Sequence, residues 1–267
     1  MGTNVMQLFR LDGRVAMVTG GCQNLGLDMA TALGEAGAHL VITSRKADKA
    51  RLKAEELSRT LGVRVLPLEL EATSAVSVAA AFARVEEAFG RLDILVNNAG
   101  GSRGNCPFVE QPLTDWDHIL AVNMTATFLC CQQAVRLMMR QQSGSIINIA
   151  SVSGMVGRDR RVYEGSPDMV PNNSAYSAAK AGVIGFTRDL AAQVGKYGIR
   201  VNAISPGGFE RGQPPEFIRR YAAKTMLGRM GRDGLDLKGA VVYLASEASG
   251  YVTGHNLVVD GGFTAWQ

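Results

Sequence analysis

Cysteine is sparse in this sequence, and its spacing argues against a metal site. The four cysteines stand at 22, 106, 130 and 131, with no spaced pair of the kind that closes around zinc. Reduced thiols in a cytoplasmic protein are the expected state. No apolar stretch approaches the roughly 20 residues that a membrane-spanning helix needs. The opening segment MGTNVMQLFRLDGRVAMVTG lacks the charged start, apolar stretch and small-residue cleavage site of a secretory leader. Met6 stands where a myristoylation signal needs Ser or Thr. A soluble, unprocessed chain with no membrane partner is expected. Charge of one sign is also lacking: 28 Lys and Arg face 24 Asp and Glu, dispersed rather than striped, so no nucleic-acid surface is expected. No Pro, Gly or Ser-rich linker, low-complexity tract or repeat divides the chain, and 1–267 reads as one domain.

What is present is the composition of an ordinary globular enzyme, 46% apolar and 19% charged with 31 glycines. Seven short apolar runs, at 15–19, 39–43, 63–68, 93–96, 145–150, 199–204 and 257–259, read as strands. Amphipathic stretches at 25–36, 46–61, 74–89, 115–141, 175–197 and 234–246 read as the helices between them. Strand and helix in alternation make a parallel sheet covered on both faces, because each parallel crossover must travel back over the sheet. The predicted fold is therefore α/β: a doubly wound, Rossmann-like, seven-stranded parallel sheet with helices on both faces. Two stretches, 101–112 and 154–174, read as loop insertions.

The first strand runs into Thr19-Gly20-Gly21-Cys22-Gln23-Asn24-Leu25-Gly26 and then a helix. A glycine turn there lets backbone amides and a helix N-terminus approach a pyrophosphate, although such a turn can equally be a plain tight connection. Asn24 is the kind of residue that tolerates positive φ where glycine is otherwise used. The second strand continues into Ser44-Arg45-Lys46, where an NAD enzyme places an Asp or Glu against the ribose hydroxyls. The cations suit a 2′-phosphate instead, so NADP(H) is favoured, with NAD(H) possible. Tyr176 and Lys180 lie four apart on a predicted helix and share a face, and an ammonium beside a phenol favours its ionised form.

Motifs in fixed order carry a resemblance to a known family. They are Asn97-Asn98-Ala99-Gly100, Val122-Asn123, SIINIASVSG at 145–154, Tyr176-Ser177-Ala178-Ala179-Lys180, Ile199-Arg200-Val201-Asn202, Ser205-Pro206-Gly207, Tyr251-Val252-Thr253-Gly254 and Val259-Asp260-Gly261-Gly262. Over nearly its whole length the chain resembles the short-chain dehydrogenases/reductases, in particular their NADP(H)-dependent sugar and polyol dehydrogenases and 3-oxoacyl reductases. The resemblance implies a proton-transferring Tyr176, a Ser151 that holds the substrate oxygen, and a Lys180 that contacts the nicotinamide ribose. It also implies a proton relay through Asn123. The implied cofactor site comprises Gly20, Cys22, Gln23, Asn24, Leu25, Gly26, Ser44, Arg45, Lys46, Glu71, Ala72, Asn98, Ala99, Gly100, Tyr176, Lys180, Pro206, Gly207 and Phe209. A homotetramer and a small-molecule substrate are implied as partners.

The sequence departs from the family pattern in several places. Asn24 replaces the middle glycine of TGxxxGxG, and Glu71 stands where an Asp is common. From Ser151 to Tyr176 is 25 residues, longer than usual, so the 154–174 insertion must emerge at the mouth of the site. Tyr163 lies nearer the usual spacing, but the residue four later is Pro167 rather than Lys. Arg211 occupies the family's Thr position and, with Ser153, is the expected substrate contact. The expected reaction interconverts the ketone and secondary alcohol of a sugar, polyol or sugar acid. Reduction of a 3-oxoacyl thioester is an alternative, as is a non-catalytic dinucleotide-binding sensor or structural subunit, although such proteins typically lose the Tyr or Lys kept here.

Overall fold

A computed structural model describes residues 4–103, 106–166 and 174–266. In chain order, α1 (Val5–Leu8) precedes β1 (Val15–Val18), α2 (Asn24–Glu35), β2 (His39–Ser44), α3 (Ala47–Leu61), β3 (Val65–Glu69), α4 (Ala75–Phe89) and β4 (Ile94–Asn97). There follow α5 (Leu113–Leu120), α6 (Ala126–Gln141), β5 (Gly144–Ile149), α7 (Ser174–Val194) and β6 (Ile199–Pro206). Two-residue strands β7 (Phe209–Glu210) and β8 (Gly231–Arg232) flank α8 (Pro215–Ala222), and α9 (Lys238–Ala245) leads to β9 (Asn256–Val259). Seven strands lie side by side in the order β3, β2, β1, β4, β5, β6, β9, all parallel. This is the doubly wound, Rossmann-like arrangement that the alternation of elements predicts.

Alternating side chains explain the two layers. Ala16 and Val18 of β1 turn to a core built with Ala30 and Leu33 of α2, Ala50 and Leu57 of α3, and Val241 and Leu244 of α9. Val15 and Met17 turn to the opposite core, with Phe82 of α4, Cys130 and Ala134 of α6, and Ala191 of α7. All four β1 residues are buried, so the strand reads as an unbroken apolar run rather than an alternating one. The chain leaves β1 toward β3 and then returns to the other side of β1 at β4. The crevice beyond the carboxyl ends of β1 and β4 is thus the switch point where such sheets take ligands.

The helix predicted over 115–141 runs without a gap from Leu113 to Gln141 but changes its hydrogen-bond pattern partway. Ala121–Thr125 forms a π-helical turn between α5 and α6, in which Ala126 N donates to Ala121 O, five residues back. The 154–174 insertion is led by a 3₁₀ turn at Val152–Gly154, and a second lies within it at Arg160–Tyr163; its residues 167–173 lie outside the described set. Within the 101–112 insertion the described residues include a short 3₁₀ turn, Phe108–Glu110. Among the described residues no helix is long and apolar enough to cross a membrane.

Candidate active site

The glycine turn is built as its sequence suggests. Asn24 takes φ +50°, the left-handed conformation, in the place of a glycine. A Cβ on Gly26 would lie 2.3 Å from Gly20 O and 2.5 Å from Asn98 Nδ2, so no larger residue fits where the turn packs on the loop after β4. Thr19 ties the two segments together: its hydroxyl accepts from Asn98 N at 3.0 Å and Ala99 N at 2.9 Å, while Asn98 Nδ2 donates to Thr19 O at 2.9 Å. Gly20 N donates to Thr43 Oγ1 at 3.1 Å. Gln23 leads into α2 without a side-chain cap, so the helix's first amides remain available to an anion. Cys22 and Gly26 are buried and Leu25 is half-buried, leaving Gln23 and Asn24 as the exposed side chains of the turn.

At the end of β2, Arg45 and Lys46 are exposed, with Ser44 Oγ accepting from Lys46 N at 3.1 Å. Lys49 Nζ of α3 donates to Gln23 Oε1 across the crevice, a third cation that residue-by-residue reading missed. Ala72 is buried beside Glu71. The Thr73 hydroxyl and amide and the charge of Arg45 hold the Glu71 carboxyl below its usual range, against partial burial. Uncapped helix amides beside a basic cluster fit a dinucleotide with a ribose phosphate. Pro206 ends β6, and Gly207 N is tied to Val259 O at 3.0 Å. Phe209 places its side chain in the core on the α2 side of the sheet, 6% exposed.

The structure brings together Asn123, Ser151, Tyr176 and Lys180. Ser151 leaves β5 in an extended conformation, its hydroxyl accepting from Ser153 N at 3.1 Å and hydrogen-bonded to Tyr176. Tyr176 and Lys180 sit one turn apart on α7, with Lys180 Nζ 5.6 Å from the centre of the Tyr176 ring. Lys180 Nζ donates to Ile149 O at 2.7 Å, and burial lowers its pKa to about 8. Asn123, fully buried in the π turn, donates through Nδ2 to Gly101 O at 2.7 Å and Ile119 O at 2.8 Å. A Cβ on Gly100 would lie 2.6 Å from Asn123 Oδ1 and 3.7 Å from Lys180 Nζ, so both side chains flank that residue. The expected depression of the Tyr176 phenol is not observed. Burial dominates and raises its pKa, opposed by the Ser151 hydroxyl and the charge of Arg158.

Ser151 and Tyr176 open into a cavity of about 230 Å³, whose wall also includes Ser153, Arg158, Tyr163 and Tyr221. The early part of the insertion and α8 thus form one side of the site. Arg211 does not line it. Its guanidinium turns to Asp28 of α2, at 3.4 Å, and to Asp233, so the expected substrate contact is instead an ion pair joining the β7 segment to the cofactor helix. Ser153 does reach the cavity, where its hydroxyl accepts from Arg158. The sequence singled out no cation of the insertion, and spacing alone could not say which of them lines the cavity.

A doubly wound sheet with a glycine turn at its switch point, and a hydroxyl, phenol and ammonium beside it, defines a dinucleotide-dependent oxidoreductase. The family described as Enoyl-(Acyl carrier protein) reductase matches residues 20–264. The chain is 35% identical to a 5-keto-D-gluconate 5-reductase of Escherichia coli, over 96% of this chain and 97% of that protein. It is 35% identical to a 3-oxoacyl-[acyl-carrier-protein] reductase of Aquifex aeolicus, over 95% and 98%. Among solved structures it is similar to a gluconate 5-dehydrogenase from Burkholderia cenocepacia in complex with NADP and tartrate, with TM-score 0.89, 34% identity and coverage of 99% and 100%. The chain belongs to the short-chain dehydrogenase/reductase family.

Proposed function

We propose that this chain is an NADP(H)-dependent oxidoreductase that interconverts the ketone and secondary alcohol of a small polar substrate of the sugar, polyol or sugar-acid class. The observation that carries the reading is the Ser151, Tyr176 and Lys180 cluster, of which Ser151 and Tyr176 open into a small cavity of mixed polar and apolar lining. The nicotinamide, when bound, supplies or takes the hydride at the substrate carbon. On the protein's side, Tyr176 gives the proton to the carbonyl oxygen, and its raised pKa keeps it in the protonated form that can do so. Ser151 donates to the same oxygen and fixes its direction. Lys180, whose ammonium can give up a proton, returns one to the phenol, and Asn123, on the other side of Gly100, helps to shape that relay. Arg45, Lys46 and Lys49 hold the 2′-phosphate. The NADP and tartrate complex of the Burkholderia relative supports both the cofactor and a small polar substrate.

Reduction of a 3-oxoacyl thioester is a second reading, favoured by the likeness to the Aquifex protein. The insertion's Val156, Val162 and Tyr163 stand in the cavity wall, where a long thioester chain would have to pass them. The reading extends to a cytoplasmic homotetramer. NADPH oxidation with 5-keto-D-gluconate, D-fructose and an acetoacetyl thioester distinguishes the readings, the first two being expected to turn over faster. Tyr176→Phe is expected to lower kcat at least about a hundredfold, the usual scale of general acid catalysis, while leaving NADPH binding by fluorescence titration intact. Turnover above about a tenth of wild type would remove Tyr176 as the proton donor.

A further inference from the structure

Nearly every polar side chain in the described wall of the cavity beside Tyr176 is taken up within the protein. The Ser151 hydroxyl accepts from Ser153 N and is bonded to Tyr176, and Ser153 Oγ accepts from Arg158. Asp159 receives Arg161 Nε and Lys224 Nζ, each at 2.8 Å. Both ends of the Gln213 amide are occupied, Oε1 by Arg211 N at 2.6 Å and Nε2 by Phe209 O at 2.8 Å. The Tyr221 oxygen accepts from Gly208 N. Tyr163 is the exception. Its ring packs on Phe217 of α8 with centres 5.3 Å apart, but no described residue is hydrogen-bonded to its hydroxyl, and the oxygen is not sealed from solvent.

We propose that Tyr163 is a specificity-determining residue of this site, its hydroxyl, together with that of Tyr221, taking a hydroxyl of a polyhydroxy ketone whose carbonyl lies against Ser151 and Tyr176. The inference rests on the oxidoreductase reading and narrows its substrate to one hydroxylated beyond the reacting carbon. The two phenols line one cavity and lie close enough for the charge of Tyr163 to help raise the pKa of Tyr221, although burial is the main cause that pushes it up to about 12. They are not hydrogen-bonded to each other. A phenol both donates and accepts, so Tyr221, whose oxygen already accepts, has its proton to give, and Tyr163 has both functions to offer. That pair matches an alcohol, which also donates once and accepts. Tyr163 is held in place as well. The turn that carries it, Arg160–Tyr163, shares a small core with α8 through Val162 and Phe217, 4% and 5% exposed, and Arg220 Nη1 donates to Arg161 O at 2.9 Å. A ring fixed before the substrate arrives loses little freedom on binding it. A polar group so placed favours substrates that can pair with it over analogues that take away its water and give nothing back.

Tyr163→Phe removes one oxygen and keeps the ring on Phe217, so its Tm is expected within about 1 °C of wild type. The test compares kcat/KM with NADPH for D-fructose and for 2-hexanone, a six-carbon ketone without hydroxyls, in the two proteins. The ratio of fructose to hexanone is expected to fall about fivefold in the variant, the scale of one neutral hydrogen bond. The loss should lie in KM for fructose, with kcat within about twofold, because the contact is made in the ground state and the transition state alike. An unchanged ratio, an equal loss on both ketones, or a loss carried by kcat overturns the proposal. A readout independent of turnover is the rise in Tm on adding D-mannitol to the NADP⁺-loaded protein, expected in wild type and at about fivefold higher mannitol in the variant. Mannitol stabilisation that depends on Tyr163 without turnover of either ketone would sink the oxidoreductase reading and leave the hydroxyl site standing. Mannitol stabilisation that is absent from wild type, or equal in the variant, overturns the hydroxyl site alone.

Discussion

Lys180 is an ammonium in an apolar setting, and that makes it both a functional group and a cost to the fold. Its side chain is 5% exposed, and burial lowers its pKa from 10.5 to about 8. Between those two values the unfolded chain binds a proton that the folded chain does not, so the contribution of this group to stability rises with pH through that window. Below about 8 both states are protonated and the full penalty applies, on the order of 3 kcal/mol from the shift. Lys180→Met removes the titration, and the lost hydrogen bond to Ile149 O is the same at every pH. The stability of wild type minus that of the variant, from urea unfolding, should therefore rise by about 2 kcal/mol between pH 7 and pH 9.5. A flat difference would show that the ammonium is better solvated than its burial implies. At this scale the site was legible wherever residue identity forces a role. Asn24 stands at positive φ as its substitution for glycine requires, and the four-residue spacing places Tyr176 above Lys180. Arg211 was misjudged because a lone cation has no periodicity, and its partners Asp28 and Asp233 are distant in sequence.

Among the elements, the strands were the easiest to find, because a parallel strand buried on both faces is a continuous apolar run such as VAMV in β1. The π turn between α5 and α6 was invisible, since it adds one residue to a helix without disturbing its composition. That turn has a definite cause in Asn123. Its amide satisfies the Ile119 and Gly101 carbonyls and accepts from Gly101 N at 3.2 Å, tying the helix to the loop after β4. Asn123→Ala strips three hydrogen bonds from a fully buried position. The expected loss is about 2–3 kcal/mol, with a fall in Tm of several degrees. Asn123→Asp, which keeps the acceptor but not the donors, should lose about as much, because two buried carbonyls would then face a carboxylate. A Tm within about 1 °C of wild type for both variants would show that the π turn is held by packing instead. The insertion was legible as a loop at the mouth of the site, but not its seating. Arg220 of α8 donates to Arg161 O at 2.9 Å and Glu164 at 3.1 Å, while Glu216 pairs with Arg219 and Arg220. No local pattern links these segments.

For the whole molecule, the helices that cover the sheet also carry apolar side chains on the side away from it. Phe128 of α6 is 47% exposed and meets Phe186 of α7 edge to face, with ring centres 6.4 Å apart. Both helices already bury one face against the sheet, through Cys130, Ala134 and Ala191, and Phe186 rests partly on that core, so the exposed ring of Phe128 beside it is surplus to the needs of a single chain. In a closed assembly with two-fold symmetry each such patch meets its own copy, and every substitution acts twice across the contact. Burying a phenylalanine is worth about 1.5–3 kcal/mol, so replacing both rings by carboxylates removes several kcal/mol per two-fold interface and adds like-charge repulsion. Light scattering of the wild type is expected to give a mass close to four chains of 28.4 kDa. The Phe128→Glu, Phe186→Glu double variant is expected to fall to a smaller assembly while keeping its circular dichroism, because neither ring belongs to the fully buried core. A wild-type mass near one chain would refute the tetramer, and a double variant of unchanged mass would move the contact away from α6 and α7.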